Sequence, residues 1–309
     1  MVKPDMTTSV AGIDFKNPIL TASGTFGYGL EFIDFLDLNR LGGLVTKGLS
    51  AAPRRGNPPA RIVETPAGML NAIGLQNIGV KAFLEDKLPG LREFDTRVIA
   101  NVFGATEVAY VEACEMLNQA SGVAGIELNV SCPNTEEGGM IFGIDPAALG
   151  HVTALCRKAT KLPLIVKLSP NVTDIQLMAR CARDAGADAI SLVNTFVGMA
   201  IDVERRRPVL ANVCGGLSGP AIRPLAVWLT WLVRQAVEIP IIGIGGIMNA
   251  RDVVEFLLAG ASAVQVGTAS FVTPSISADI VTELSNWLSD RKISSIRELI
   301  CGLEVPPRG

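Results

Sequence analysis

Eight short apolar runs rich in β-branched residues recur along the chain, and a segment with helical periodicity follows each of them. The runs are Pro18–Ser23, Gly43–Gly48, Arg97–Phe103, Gly125–Val130, Pro163–Leu168, Ala189–Thr195, Pro240–Gly245 and Ala263–Thr268. The helical segments are Gly29–Asn39, Gly79–Leu88, Thr106–Gln119, Pro146–Thr160, Thr173–Ala185, Ile222–Ala236, Ala250–Ala259 and Ser275–Ser289. Two strands are introduced by nearly the same phrase, Ala185-Gly-Ala-Asp-Ala189 and Ala259-Gly-Ala-Ser-Ala263, in which glycine ends a helix and a short turn starts the strand. Eight strand-then-helix units without a change of composition predict an α/β fold, a (β/α)8 barrel over residues 1–309 as one domain, rather than an open doubly wound sheet. The connections 51–72 and 196–219, after the second and sixth strands, are too long for plain links and predict a small cap with its own strands. Residues 301–309 read as a flexible tail.

Bulk properties narrow the function. At 309 residues and 49% hydrophobic, the chain can bury a large core. Its net charge of −3 argues against a surface that tracks nucleic-acid phosphates, and the run Arg205-Arg-Arg207 reads as a solvated loop. The six cysteines contain no C-x-x-C, a reduced, cytoplasmic pattern that offers no thiolate cage for zinc or iron–sulfur. No apolar leader opens the chain, and the most apolar later stretch, 228–247, is broken by Arg234, Glu238 and Pro240, so no membrane span is expected.

A barrel presents its chemistry at the C-terminal ends of its strands. There stand Ser23, Lys47, Asn101, Asn129 with Cys132, Lys167, Asn194 with Thr195, Gly245 with Gly246, and Gly267 with Thr268. No carboxylate cluster appears among them, and the single histidine, His151, lies in a helical segment, so no metal site is expected. The fourth strand ends at Ser131-Cys132-Pro133-Asn134, because Pro133 cannot donate to a ladder. A glycine-bearing loop follows, closed by Asp145 as an N-cap and Pro146 as the first helical residue. One thiol and two carboxamides, Asn129 and Asn134, therefore flank that loop.

Gly243-Ile-Gly-Gly-Ile-Met248 and Val266-Gly-Thr-Ala269 fit a barrel phosphate cradle, where exposed backbone N–H groups hold the anion. The first is no dinucleotide fingerprint, because Met248 occupies its sixth position, so NAD binding by this chain is not expected. Lys47 and Lys167 sit where apolar strands open to the mouth. A buried ammonium there needs a carboxylate, a Schiff base or an electron-rich ring beside it. Asn71, Asn129, Asn134 and Asn194 both donate and accept, which suits the edge of a cyclic imide or amide.

The combination of Ala22-Ser-Gly-Thr-Phe-Gly27, Thr46-Lys-Gly48, Asn71-Ala-Ile-Gly-Leu-Gln-Asn77, Asn129-Val-Ser-Cys-Pro-Asn134, Val166-Lys167, Asn194-Thr195, Gly215-Gly-Leu-Ser-Gly219, Gly245-Gly246 and Gly267-Thr268 resembles the dihydroorotate dehydrogenases. It covers nearly the full length, in order. Cysteine rather than serine at 132 resembles the soluble class 1 enzymes, and the segments 71–75 and 136–146 resemble class 1B, the NAD-linked catalytic subunit.

The resemblance implies FMN at the barrel mouth with dihydroorotate stacked on it, and Cys132 as general base on C5 while hydride passes from C6 to flavin N5. It assigns Ser23, Lys47, Gly48, Asn101, Asn129, Lys167, Val193, Gly219, Gly245, Gly246, Gly267 and Thr268 to FMN. Lys47, Asn71, Ala72, Ile73, Gly74, Leu75, Asn129, Asn134, Asn194 and Thr195 are assigned to the substrate. Lacking a dinucleotide fold, the chain would pass electrons to NAD through a partner carrying FAD and a 2Fe-2S cluster, in a heterotetramer docked through an exposed apolar patch. Rival readings are a fumarate-linked class 1A homodimer, another flavin reductase acting on uracil-type rings or tRNA dihydrouridine, a flavin-free lyase using Lys47 or Lys167 as a Schiff base, and a catalytically dead binding module.

Overall fold

A computed structural model of the chain describes residues 3–131 and 142–306. The chain opens with a hairpin, β1 (Thr8–Val10) and β2 (Ile13–Phe15). It then enters β3 (Ile19–Thr21) and β4 (Gly43–Val45). After β5 (Ile62–Thr65) and β6 (Gly68–Asn71) come β7 (Arg97–Val102), β8 (Gly125–Asn129), β9 (Leu164–Lys167) and β10 (Ala189–Leu192). Then follow β11 (Phe196–Gly198), β12 (Ile201–Asp202), β13 (Arg207–Pro208) and β14 (Gly215–Ser218), before β15 (Ile241–Ile244) and β16 (Ala263–Val266). β3, β4, β7, β8, β9, β10, β15 and β16 close into a parallel barrel in chain order, with β16 returning to β3. All eight runs marked in the sequence are these strands, trimmed at their ends.

The helices begin where capping side chains put them. Thr106, Asp145, Asp174 and Asn249 each accept a hydrogen bond from a backbone N–H of the first turn, and Pro146 occupies the first helical position as expected. Helix faces pack on the outer face of the barrel around Ile126, Leu128, Val166, Ile190 and Val264, all fully buried.

Inward-facing side chains form two contrasting layers. The lower one is apolar: Leu20, Val45, Ile99, Ile165, Ala189, Ile242 and Ala263 pack against Val10, Ile13 and Phe15 of the hairpin, which stoppers that end of the barrel. Two residues further along their strands, the upper layer holds Asn101, Glu127, Lys167, Ser191 and Gln265. The chain's two ends meet at a seam: Thr8 donates its hydroxyl to the Ser262 carbonyl, and Asp5 pairs with Ser295 as a parallel bridge.

Both long insertions contribute to one cap. β11, β14, β6 and β5 form a four-stranded antiparallel sheet in that order, so strands from the two insertions pair directly, Gly216 opposite Asn71 and Ser218 opposite Met69. The backbones touch: a Cβ on Gly68 would lie 2.0 Å from the Ser218 carbonyl oxygen. β12 and β13 make a separate hairpin beside it.

Two helical expectations need correction. Residues 29–39 do not form one helix but two 3-10 turns, Leu30–Phe32 and Leu38–Arg40. Gly29 has φ 100°, Phe26 stacks on Phe32 at 4.0 Å, and Asp37 caps the second turn, so local contacts break the run in the middle. The segment from Gly79 widens to a π turn at Phe83–Lys87 before ending at Leu91. Pro89 lacks the N–H that would bond back to residue 85, which favours that widening. Residues 301–306 carry neither helix nor strand and are exposed. No helix among the described residues is long and apolar enough to cross a membrane.

Candidate active site

The upper layer of the barrel interior is the floor of the site. Glu127, fully buried on β8, accepts hydrogen bonds from Asn101 Nδ2 on β7 (2.7 Å), Ser191 Oγ on β10 (2.8 Å) and Gln265 Nε2 on β16 (2.6 Å). Lys167 Nζ on β9 stands 3.9 Å from the same carboxylate, with its side chain only 7% exposed. The carboxylate touches side chains of four other strands, so it lies near the barrel axis. Asn101 keeps a second polar atom, Oδ1, that is buried without a hydrogen-bond partner among the described residues.

One step toward the mouth come the carboxamides. Asn129 registers opposite Lys167, and its Oδ1 accepts from Asn194 Nδ2 at 2.9 Å. The Asn129 carbonyl accepts from the buried Tyr110 hydroxyl at 2.7 Å, which fixes the end of β8. Asn194 in turn accepts from the Thr195 N–H at 2.8 Å. Asn71 belongs to the cap: it donates to the Gly216 carbonyl at 3.3 Å, and Gly216 has no room for a Cβ because Thr195 Oγ1 stands 2.0 Å from where one would sit. The structure therefore brings Asn71, Asn129, Asn194 and Thr195 to one side of the mouth. The proposed base Cys132 and the carboxamide of Asn134 lie outside the described residues.

Lys47 sits two residues beyond β4, its N–H bonded to the Gly27 carbonyl, and among the described residues it makes no ion pair. Burial, and then the nearby Arg61 guanidinium, hold its amine below the ordinary lysine range. It lines a cavity of about 290 Å³ with Tyr28, Arg54, Ile73, Gln76, Asn77 and Ile78. Of the 71–75 segment it is Ile73 that lines this cavity, with Gly74 at φ 74° and Leu75 at φ 58° carrying the bend that follows it. Arg61 is tied to Gln76 at 2.8 Å. The cavity is cationic through Lys47 and Arg54, neither of which has an ion pair among the described residues, which suits a small anion.

Beyond the ends of β15 and β16 the rim is built of glycine. Gly219, Gly245 and Gly246 all have positive φ, and a Cβ on Gly246 would lie 2.8 Å from the Gly219 carbonyl, so the two turns approach as bare backbone. Thr268 donates its hydroxyl to Ser218 Oγ at 2.8 Å, joining the end of β16 to the cap. Gly267 is open, with nothing closer than 3.4 Å to an added Cβ, and Ser23 is half-buried in the turn after β3. Gly48 is buried against Asn101 and Phe103 at the end of β7, and the buried Val193 donates its N–H to the Ile244 carbonyl of β15. Gly243 does not belong to the cradle: it lies inside β15, facing Phe256, whose ring would clash with a Cβ at 2.4 Å.

Sequence reasoning missed Glu127, Ser191, Gln265 and Arg61. The signal for the first three was the two-residue repeat of a strand. Glu127 shares a face with Asn129, Ser191 with Val193 and Gln265 with Gly267, each inside a run read only for its apolar residues. Among the described residues no group of three or more His, Cys, Asp or Glu side chains is placed to hold a metal ion. A second, larger cavity of about 500 Å³ lies away from the strand tips, between Trp228 and Trp231 on one outer helix and Leu303 of the irregular segment 301–306.

The sequence matches the family described as dihydroorotate dehydrogenase over residues 5–288. It is 60% identical over 305 residues, 99% of this chain and 100% of the relative, to "Dihydroorotate dehydrogenase B (NAD(+)), catalytic subunit" of Citrifermentans bemidjiense. It is 57% identical over 303 residues, 98% of this chain and 100% of the relative, to the protein of the same name from Pelobacter propionicus. The fold resembles the crystal structure of DHODH in complex with ferulenol from Eimeria tenella, with a TM-score of 0.80 at 21% identity, covering 96% of this chain and 88% of that one.

Proposed function

The chain belongs to the dihydroorotate dehydrogenase family of oxidoreductases, and on that premise we propose that it oxidises (S)-dihydroorotate to orotate in pyrimidine synthesis with FMN held at the barrel mouth. Electrons then pass to NAD+ through a separate subunit carrying FAD and a 2Fe-2S cluster, two of each chain forming a heterotetramer. The name of the relatives, a NAD-linked catalytic subunit, supports the existence of such a partner.

The observation that carries this reading is the stack of Lys167, Asn129 and Asn194 over one side of the barrel, with the cationic Lys47 cavity beside it. Those residues fit a flavin mononucleotide. Asn101 Oδ1 is a buried acceptor in want of a ring N–H, Lys167 supplies a cation for a carbonyl edge, and the bare turns at Gly219, Gly245–Gly246 and Gly267–Thr268 leave backbone N–H groups for a phosphate. Ser23, Gly48 and Val193 complete that set. Bound FMN supplies a hydride acceptor.

This chain's own residues do the rest. Lys47 binds the substrate carboxylate, and the anion restores the ammonium form that burial and Arg61 disfavour. Asn71, Asn129, Asn134, Asn194 and Thr195 bind the amide edges of the pyrimidine ring, while 72–75 wall it in. Cys132 takes the proton from C5. A free thiol titrates at ~8.5, so the site must favour the thiolate or couple proton removal to hydride loss. An anaerobic visible spectrum tests the reading: the protein should purify yellow with FMN and bleach on adding dihydroorotate. A colourless chain that cannot be reconstituted with FMN would refute it.

A further inference from the structure

The layer beneath Glu127 is filled with aliphatic side chains, and nothing in barrel packing requires a carboxylate directly above it. Removing an ionised carboxylate from water is costly unless hydrogen bonds and a counter-charge compensate it. Both kinds of compensation are present. Oε1 takes Asn101 and faces Lys167, while Oε2 takes Ser191 and Gln265, so both oxygens are occupied and the plane of the group is fixed. The three neutral donors orient the carboxylate, but only Lys167 matches its charge. Lys167 in turn has, among the described residues, no other anionic partner.

We propose that Glu127 is a positioning residue for Lys167: oriented by Asn101, Ser191 and Gln265, its buried carboxylate holds the Lys167 amine in place beneath the mouth. This rests on the reading of Lys167 as the cation beside bound flavin. Glu127 then acts on the flavin through Lys167 and not by its own field. With glutamine at 127 the Lys167 side chain loses its one anionic partner among the described residues, and the cation beside the flavin is misplaced.

The experiment is a double-mutant cycle read by the midpoint potential of bound FMN, measured by anaerobic dye equilibration without turnover. Glu127→Gln and Lys167→Gln are each expected to lower the potential, because an anionic reduced flavin loses the same stabilising cation. The double variant should match Lys167→Gln alone, and Glu127→Asp should restore most of the shift. An unchanged potential in Glu127→Gln, an upward shift, or shifts that add in the double variant would overturn the proposal, since they mean a packing role or a direct field. If Glu127→Gln does not fold or hold FMN, Ser191→Ala decides: loss of one donor should give a smaller downward shift that disappears in the Lys167→Gln background, and no shift refutes the proposal. Wild-type protein that binds FMN and is bleached by dihydroorotate keeps the functional reading intact whatever the cycle gives. Wild-type protein without flavin sinks that reading instead.

Discussion

Gly68→Ala should unzip the cap while leaving the barrel closed. An added Cβ would sit 2.0 Å from the Ser218 carbonyl oxygen, where ordinary contact begins at 3.4 Å, so β6 and β14 must separate by about 1.4 Å. Ladder bonds of ~2.9 Å stretched by that much pass beyond hydrogen-bonding range. The pairing spans Gly216 with Asn71, Leu217 with Leu70 and Ser218 with Met69, and at ~1 kcal/mol for each net bond the local loss is about 2–3 kcal/mol. At ~1.4 kcal/mol per tenfold, amides of 69–71 and 216–218 should exchange about 30- to 150-fold faster. Hydrogen exchange followed by mass spectrometry reads this directly, with the β8 amides as the internal reference. Orotate affinity should weaken in parallel, because 71–75 are carried by β6. Unchanged exchange in the cap, or equal acceleration in β8, would refute the idea that the two insertions form a locally cooperative lid over an independent barrel.

Lys47 predicts a pH dependence. Its amine is depressed by burial and then by Arg61, so the ammonium that binds an anion is lost earlier than in an exposed lysine, and orotate Kd should rise as pH climbs through that lowered value. In stability terms the folded chain releases this proton before the unfolded one, so Lys47's penalty shrinks between its lowered value and ~10.4. Arg61→Gln should move the Kd transition to higher pH, and identical profiles would contradict the assignment. Cys132→Ala should keep FMN but abolish its reduction by dihydroorotate in stopped flow; near-normal reduction would remove Cys132 from the role of base. Phe15→Ala removes the largest side chain of the stopper, a loss of ~3–5 kcal/mol. With ~2.1 cal/mol/K per residue over 309 residues, Tm should fall by about 5–8 °C in calorimetry, and a shift under 2 °C would mean that the hairpin is not part of the cooperative unit.

The barrel was legible because strands buried on both faces leave continuous apolar runs, and because Asp145-Pro146 and the repeated Ala-Gly-Ala phrases punctuate them. The opening hairpin was not. Its strands are three residues each, and its two-residue turn, Ala11-Gly12, reaches φ 56° and 77° without the Asn-Gly or Asp-Gly that usually announces such a turn. Asn129, Asn194, Lys47 and Lys167 could be read at strand ends, since polar residues there have only the mouth to face. Glu127, Ser191 and Gln265 could not be read as a set, because they belong to three strands 64 and 74 residues apart and meet only across the closed axis. The break within 29–39 depends on an aromatic stack and a left-handed glycine that periodicity does not register.

The seam between β16 and β3 has a consequence for biosynthesis. Ile19 waits opposite Val264, Thr8 for Ser262 and Asp5 for Ser295, so a ribosome must finish most of the message before the first-made segment finds its neighbours. Until then the nascent polypeptide presents two raw sheet edges to solvent, a window in which chaperones have their natural client. Joining the two ends and cutting at a helix on the far side would move that window without changing the finished vessel.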